Sequence, residues 1–406
     1  MSMVGGLRGL RITKGMRIAS VLYAILPLST AATSDLPFSL SKLTTPAVII
    51  DKAVVTKNSQ RMLERAKTLG VDVRPHVKTH KSIKGALIQT NNRRSKITVS
   101  TLAEAEWFAD AGFSDIVYAV PIDPTKVERA ARLCERTSLH VMVDNMQQLD
   151  GLLAQSGERP WSIVLMCDSG YGRDGVDVDS DEAVKIVERI KGSDGKANLY
   201  MLYTHGGHSY DVEYGNIEEI VQTSEQERDT VVKFAKKLYA LGLAKEGKLI
   251  TGVGSTPTCS HPPNNLDGIT EQHPGNYFTY DYNQHLIGSC AIEDIGCKVC
   301  TRVVGHYPHT NTLQIDCGWT GTSAQGKEYN YGAIESEDNL KIENLKQEAG
   351  TVTTKDGSKI DYDKYPIGKM LNILPWHSCA SIHQHRVINV VEGEDVVDVW
   401  DVCDGW

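Results

Sequence analysis

The chain predicts an α/β protein, with an N-terminal (β/α)8 TIM-like barrel followed by a C-terminal β-rich domain. Three observations carry this reading. From residue 72 to about 280, short apolar runs alternate with longer helical patterns. After Asp281 the alternation gives way to strands and turns. The length, 406 residues, exceeds one typical domain and suits a barrel plus a smaller unit.

Taken in order, an early strand within 46–50 precedes the barrel count and is expected to pair with the second domain. Barrel strands are expected at 71–77, 97–100, 115–120, 139–143, 162–167, 199–203, 248–252 and 277–280. Helical stretches such as 101–111 and 217–240 fit between them. The first of these opens with Thr101-x-x-Glu104, a capping box that satisfies the free N–H groups of a helix start. In the second domain, strands are expected at 299–304, 312–315, 350–354, 370–374 and 387–391. The polar stretch 325–348 reads as an insertion or solvated loop. The resulting division is 1–34 apart from the fold, 43–281 as barrel and 282–406 as the β-rich domain.

Residues 1–34 carry Arg8, Arg11, Lys14 and Arg17, no acid, an apolar run at 18–28 and small residues at 29–34. That layout is a secretory signal with cleavage near Ala31 or Ala32, and the apolar run is too short to span a bilayer. A mitochondrial or plastid presequence fits the same features, and a plain extension of a cytosolic enzyme is the alternative. No membrane span is expected in the mature chain. The net charge of -8, with no basic block after residue 100, gives no nucleic-acid footprint, so the expected ligand is small. Nine cysteines, an odd number without dense spacing, read as free thiols, and Cys297-x-x-Cys300 as structural.

The chemistry starts at Arg74-Pro75-His76-Val77-Lys78-Thr79-His80-Lys81. If strand geometry continues through this run, His76, Lys78 and His80 share one face. An ammonium facing inward is costly, so such a lysine is an ion-pair partner or a chemically used amine; a basic strand end at the surface is the plain alternative. Barrel sites lie where strands end. Lys78 closes the first strand, and Asp168-Ser169-Gly170-Tyr171-Gly172-Arg173-Asp174-Gly175 follows the fifth. Tyr203-Thr204-His205-Gly206-Gly207-His208-Ser209-Tyr210 follows the sixth. Gly254, Ser255 and Thr256 follow the seventh, where small residues with hydroxyls make a nest for a phosphate dianion. Gly275-Asn276-Tyr277 opens the eighth and completes that cup. Late in the chain, His377-Ser378-Cys379 offers a nitrogen and sulfur pair that suits Zn²⁺ and leaves positions open for water or substrate; a buried histidine beside a packed cysteine is the alternative.

The 74–81 run, an upstream Thr45-Pro46-Ala47-Val48-Ile49-Ile50-Asp51 and the late Pro375-Trp376-His377-Ser378-Cys379 resemble, in matching order, the eukaryotic D-serine dehydratases and D-threonine aldolases. These are pyridoxal-phosphate enzymes with an alanine-racemase-like barrel, and the resemblance runs from about Leu43 to the C-terminus. It implies that Lys78 carries the cofactor. It implies that Arg173, in an Asp-x-Gly-x-x-Arg-x-Gly signature, faces the cofactor's phenolate oxygen, with Tyr203 and Tyr210 beside it. It also implies that His377 and Cys379 hold Zn²⁺, or another divalent cation, on the substrate's 3-hydroxyl. Cysteine at that second position favours elimination, since D-threonine aldolases typically place an acid there.

The expected activity is therefore a lyase that removes water from D-serine or a related D-3-hydroxy amino acid, giving a 2-keto acid and ammonia. The rival is retro-aldol cleavage to glycine and an aldehyde, with His76 or His80 as the base. A non-catalytic pyridoxal-phosphate-binding protein is a third reading. A homodimer is expected from the resemblance. Trp376 departs from the asparagine usual in the family, which puts pocket volume and substrate choice in question. His383 and His385 follow closely as a further ligand or proton shuttle, or as exposed histidines.

Overall fold

The computed structural model describes residues 36–155 and 159–406, and the expected targeting segment lies outside them. Eight parallel strands follow one another around the barrel: Asp72–Val73, Ile97–Val99, Asp115–Tyr118, Ser138–Val143, Trp161–Met166, Ala197–Tyr203, Ile250–Val253 and Glu271–Gln272. The last pairs with the first through Glu271 to Asp72 and Gln272 to Val73. The first and second meet at a bridge between His76 and Thr98, where the Thr98 N–H donates to the Pro75 carbonyl at 2.9 Å, so the circle closes.

Two expected strands are corrected. The first regular strand is two residues long, not 71–77: bonding to its neighbours runs on through the Arg74 and His76 N–H groups, but the chain then tightens into a 3₁₀ turn at Val77–Thr79. His76, Lys78 and His80 therefore do not share a face by strand alternation. The eighth strand is Glu271–Gln272, not 277–280. That later apolar run is a 3₁₀ turn, Asn276–Phe278, buried by packing rather than by pairing. The Asn58 side chain, from helix Lys52–Leu69, donates to the Phe278 carbonyl at 3.2 Å there.

Helices form where the sequence supplies caps. Leu102–Asp110 opens with Thr101 Oγ1 accepting from the Glu104 N–H at 3.0 Å while the Glu104 carboxylate takes the N–H groups of Ser100 and Thr101. Lys52–Leu69 starts on the Asp51 carboxylate and stops at Gly70, whose φ of 72° puts it in the left-handed region.

The second domain is built on a mixed ten-stranded sheet. The early strand Ala47–Asp51 lies within it, antiparallel to Cys297–Tyr307 and parallel to Val387–Glu392. The polar stretch 325–348 is not a loop throughout: it holds strands Gly332–Ile334 and Leu340–Leu345, with Leu340, Ile342 and Leu345 buried among charged neighbours that disguise them in the sequence. No helix among the described residues is long and apolar enough to cross a membrane.

The barrel floor is polar. Arg74 is fully buried; its Nε donates to Glu271 Oε2 at 2.8 Å, Nη2 donates to the Tyr200 hydroxyl at 2.9 Å, and Nη1 pairs with Asp115. The His140 ring stacks on Tyr200 at 3.7 Å and reaches Asp115 at 3.1 Å. Removing one member of a buried ion pair strands the other charge. Arg74→Ala is thus expected to lower unfolding stability by about 3–5 kcal/mol, read as a fall in the urea midpoint.

Candidate active site

A cavity of about 760 Å³ opens where the barrel strands end, with the second domain forming its far wall. Lys78, His76, Arg173, Tyr203, Tyr210, Ser255 and Thr256 line it from the barrel, and Trp376, His377 and Cys379 from the second domain. The turn after Pro75 places the amine. Val77 and Thr79 are buried while Lys78, between them, faces the cavity. Its backbone is held from both domains: the Lys78 N–H donates to His76 Nδ1 at 3.4 Å, and His383 Nε2–H donates to the Lys78 carbonyl at 2.8 Å. Burial lowers the Lys78 pKa, Cys379 opposes the shift and Arg173 adds to it, so the amine is more readily neutral than an exposed lysine.

His80 is absent from the cavity wall. It is buried, with Nδ1 accepting from the Ser82 N–H at 3.0 Å, Nε2 against Gln89 Oε1 at 2.9 Å and its ring 4.7 Å from Phe278. It pins helix Ile83–Gln89 instead of reaching a substrate. His76 does face the cavity, with Nε2 3.3 Å from Ser100 Oγ. His385 donates to the Gly321 carbonyl at 2.8 Å, so it and His383 serve as backbone ties.

Three cavity imidazoles are held neutral. Burial and the neighbouring Lys78 push His76 well below its ordinary value; burial takes His205 and His273 to about 3. His205 Nδ1–H donates to the Gly254 carbonyl at 2.8 Å, and the Tyr203 ring sits 4.5 Å from His273. His273 escaped the sequence reading because the eighth strand was misplaced: it directly follows Glu271–Gln272, where barrel sites lie.

The turn after the seventh strand brings Ser255 and Thr256 to the cavity, whereas Gly254 and Tyr277 shape it from behind. Gly254 has φ 142°, and a Cβ there would lie 2.9 Å from Cys259 Sγ and from the His273 backbone nitrogen. The Tyr277 side chain is fully buried away from the cavity, so the expected direct contact is corrected; its N–H donates to Thr256 Oγ1 at 3.1 Å. Thr256 N–H donates to the Tyr210 hydroxyl at 3.4 Å. Beneath both glycine turns Glu227 is buried, its Oε1 accepting from the Gly206 and Gly254 N–H groups, and burial raises its pKa to about 7. Cavity-lining His273 and Asn276 each keep one buried polar atom, Nε2 and Oδ1, without a protein partner. Neither atom opens to the cavity, and His273 Nε2 lies against Gly252; what fits pyridoxal phosphate is the chemistry of the wall itself, an amine at Lys78, a guanidinium at Arg173 and a hydroxyl at Thr256. Arg173, 47% exposed, pairs with Asp174 at 3.1 Å and lies 5.3 Å from the Tyr171 ring centre. Asp168 is occupied by the N–H groups of Gly170 and Gly172.

His377 and Cys379 sit at the start of the short helix Ser378–Ile382, not on a strand. Asp281 braces them: its Oδ2 accepts from the Ser378 N–H at 3.0 Å and from Asn276 Nδ2 at 2.6 Å. His377 Nδ1–H donates to Gln325 Oε1 at 2.6 Å. Burial works against charge on this pair, but each partner overrides it: Cys379 and Asp281 raise His377 to about 9, and His377 lowers the Cys379 thiol. A nitrogen beside a thiolate is a donor set that fits Zn²⁺. Among the described residues no group of three or more such side chains converges, so two protein ligands would leave positions open.

The Alanine racemase, N-terminal domain model matches residues 50–278, and the Putative serine dehydratase domain model matches 296–391. The D-serine dehydratase of Dictyostelium discoideum is 36% identical across 86% of this chain and 94% of its own. The D-threo-3-hydroxyaspartate dehydratase of Delftia sp. (strain HT23) is 33% identical across 91% and 99%. The solved structure of the Delftia enzyme superposes with a TM-score of 0.83 at 32% identity, covering 91% of this chain and all of that one. D-threo-3-hydroxyaspartate dehydratase has also been solved with a cysteine replaced by alanine in a metal-free form, and with a histidine two positions earlier replaced by alanine. The D-threonine aldolase of Arthrobacter sp. is more distant, at 26% identity across 89% and 93%.

Cys379 alone among the nine thiols has a lowered pKa, while burial raises the rest, Cys134 to about 11 and Cys167, Cys300, Cys317 and Cys403 to about 12. Iodoacetate at neutral pH is therefore expected to modify Cys379 first in chelator-treated protein, with added Zn²⁺ slowing it. Peptide mapping checks this; first labelling elsewhere would contradict it.

Proposed function

Because the chain belongs to the D-serine dehydratase and D-threonine aldolase family, with its alanine-racemase-like barrel, we propose that it is a lyase removing water from D-serine or a related D-3-hydroxy amino acid. The products are a 2-keto acid and ammonia, with pyridoxal phosphate carried by Lys78 and Zn²⁺ by His377 and Cys379. One observation carries this reading: the lowered Lys78 amine and the nitrogen and sulfur pair line the same cavity. The two dehydratases are nearer in sequence than the aldolase, which favours elimination over Cα–Cβ cleavage. The His377-x-Cys379 spacing is also that of the histidine and cysteine replaced in the D-threo-3-hydroxyaspartate dehydratase variants. The resemblance supports a homodimer, and residues 1–34 support a secretory or organellar address.

When bound, pyridoxal phosphate supplies an electron sink for charge released at the substrate's Cα, and the cation supplies a Lewis acid for the 3-hydroxyl. Lys78 serves as anchor and then as base, taking the α-proton at Nζ, for which its lowered pKa suits it. The Ser255 and Thr256 N–H groups are taken by Thr258 Oγ1 at 3.0 Å and the Tyr210 hydroxyl at 3.4 Å, so it is the Thr256 hydroxyl, accepting from the Tyr277 N–H, that would offer its hydrogen to the phosphate from this turn. Arg173 stands at the mouth as the cation for the cofactor's ring oxygen. The neutral His76, His205 and His273 add hydrogen-bonding surface without competing positive charge beside Lys78. His377 and Cys379 would hold the cation, and the Asp281 brace keeps them on the cavity wall.

Purified protein incubated with D-serine and D-threonine is expected to yield pyruvate and 2-oxobutyrate with ammonia; glycine and acetaldehyde without keto acid would overturn the dehydratase reading. Lys78→Ala is expected to lose the visible cofactor band and to slow turnover by more than about 10²-fold. Chelation is expected to stop turnover while leaving that band in place, which absorbance spectra and product assays measure together.

A further inference from the structure

His377 has two ring nitrogens, and only a bare one binds a metal. Its Nδ1 lies 2.6 Å from Gln325 Oε1, a carbonyl oxygen that accepts and cannot donate. With the amide in that orientation the contact keeps a proton on Nδ1, so Nε2, once its own proton is displaced, is the nitrogen left to a metal. We propose that Gln325 is a positioning residue for His377, fixing the tautomer and ring orientation in which Nε2 meets the cation, an inference that rests on His377 and Cys379 being the metal pair.

Gln325 is exposed, and a free glutamine side chain would scatter over its rotamers. The surrounding loop prevents this through Trp376, the residue bonded directly to His377. Gly326 has φ 73° and lies against the indole, where a Cβ would come within 2.1 Å of the ring. Tyr329 stacks parallel on the same indole, with ring centres 4.4 Å apart and planes 5° apart. The loop is closed by its own backbone: the Gly326 carbonyl accepts from the N–H groups of Tyr329 at 2.9 Å and Tyr331 at 2.8 Å, and Trp376 N–H donates to the Tyr331 carbonyl at 3.0 Å. From the barrel side, Tyr214 meets Tyr329 edge-on at 5.6 Å. One indole thus holds both the glutamine's loop and the histidine's backbone. Trp376 thereby makes the distance between Gln325 and His377 a property of the fold.

The test is zinc affinity, measured by competition with a chromophoric chelator on protein loaded with pyridoxal phosphate, for wild type, Gln325→Ala, Gln325→Glu and His377→Ala. Partners of this kind are typically worth about 10–100-fold in metal affinity. Gln325→Ala is expected to weaken zinc binding by that factor, with the cofactor spectrum and thermal unfolding unchanged and turnover largely restored at saturating zinc. Gln325→Glu keeps an acceptor oxygen and is expected to stay within a few-fold of wild type. If His377→Ala loses zinc while Gln325→Ala binds it like wild type, the positioning role is overturned and the metal pair stands. If His377→Ala binds zinc as tightly as wild type, the metal pair itself is wrong and this inference goes with it.

Discussion

An amine turned inward and short of water is the constraint around which the rest is arranged. Lys78 can sit in the cavity only because its charge is dispensable there, and the surroundings are matched to that condition: three neighbouring imidazoles carry no proton, and the thiol lying opposite is tuned toward the anion. Position follows from the 3₁₀ turn at Val77–Thr79, which ends the extended run, and from the two histidines that grip the Lys78 backbone, one from each domain. Below, the Arg74 network fills the same barrel with paired charge, so the segment that follows the first strand is anchored electrostatically at Arg74 and opens to the cavity at Lys78.

The two domains divide the chemistry and are joined where it happens. Asn276 donates to Ser378 Oγ at 3.0 Å, Thr279 and Ser378 hydroxyls lie 2.8 Å apart, and Cys379 Sγ is 3.2 Å from Thr79 Oγ1. These contacts are buried or half-buried and span from the barrel to the helix bearing the nitrogen and sulfur pair. Neither domain presents a complete site without the other.

Much of this was legible in residues whose signals are local. The capping box at Thr101 and Glu104, the long amphipathic pattern at 217–240 and the positions of Lys78, Arg173, His377 and Cys379 all depend on short stretches of chain. What escaped depended on pairing. Alternation alone carried the first strand through Pro75 and so put His80 on the wrong side, and it took the buried run at 277–280 for a strand when packing on a helix buries it. His273 was lost with that strand, and Gln325 was hidden in a stretch whose charge masks its buried leucines and isoleucine. Composition reports exposure on average; it does not report which residue of a polar segment turns back toward a cavity.

The placement of Ala47–Asp51 has a consequence for how the molecule is made. Its Val48 carbonyl accepts from Asn389, 341 residues away along the chain. At about 5–20 residues per second of synthesis, this apolar strand leaves the ribosome about 17–70 s before its neighbour. The barrel can gather in the meantime from partners close in sequence. Val48 and Ile50 have no strand to pair with until Cys297–Tyr307 has been made, and their other edge stays open until Val387–Glu392 follows, so this short apolar segment waits through most of synthesis for its sheet.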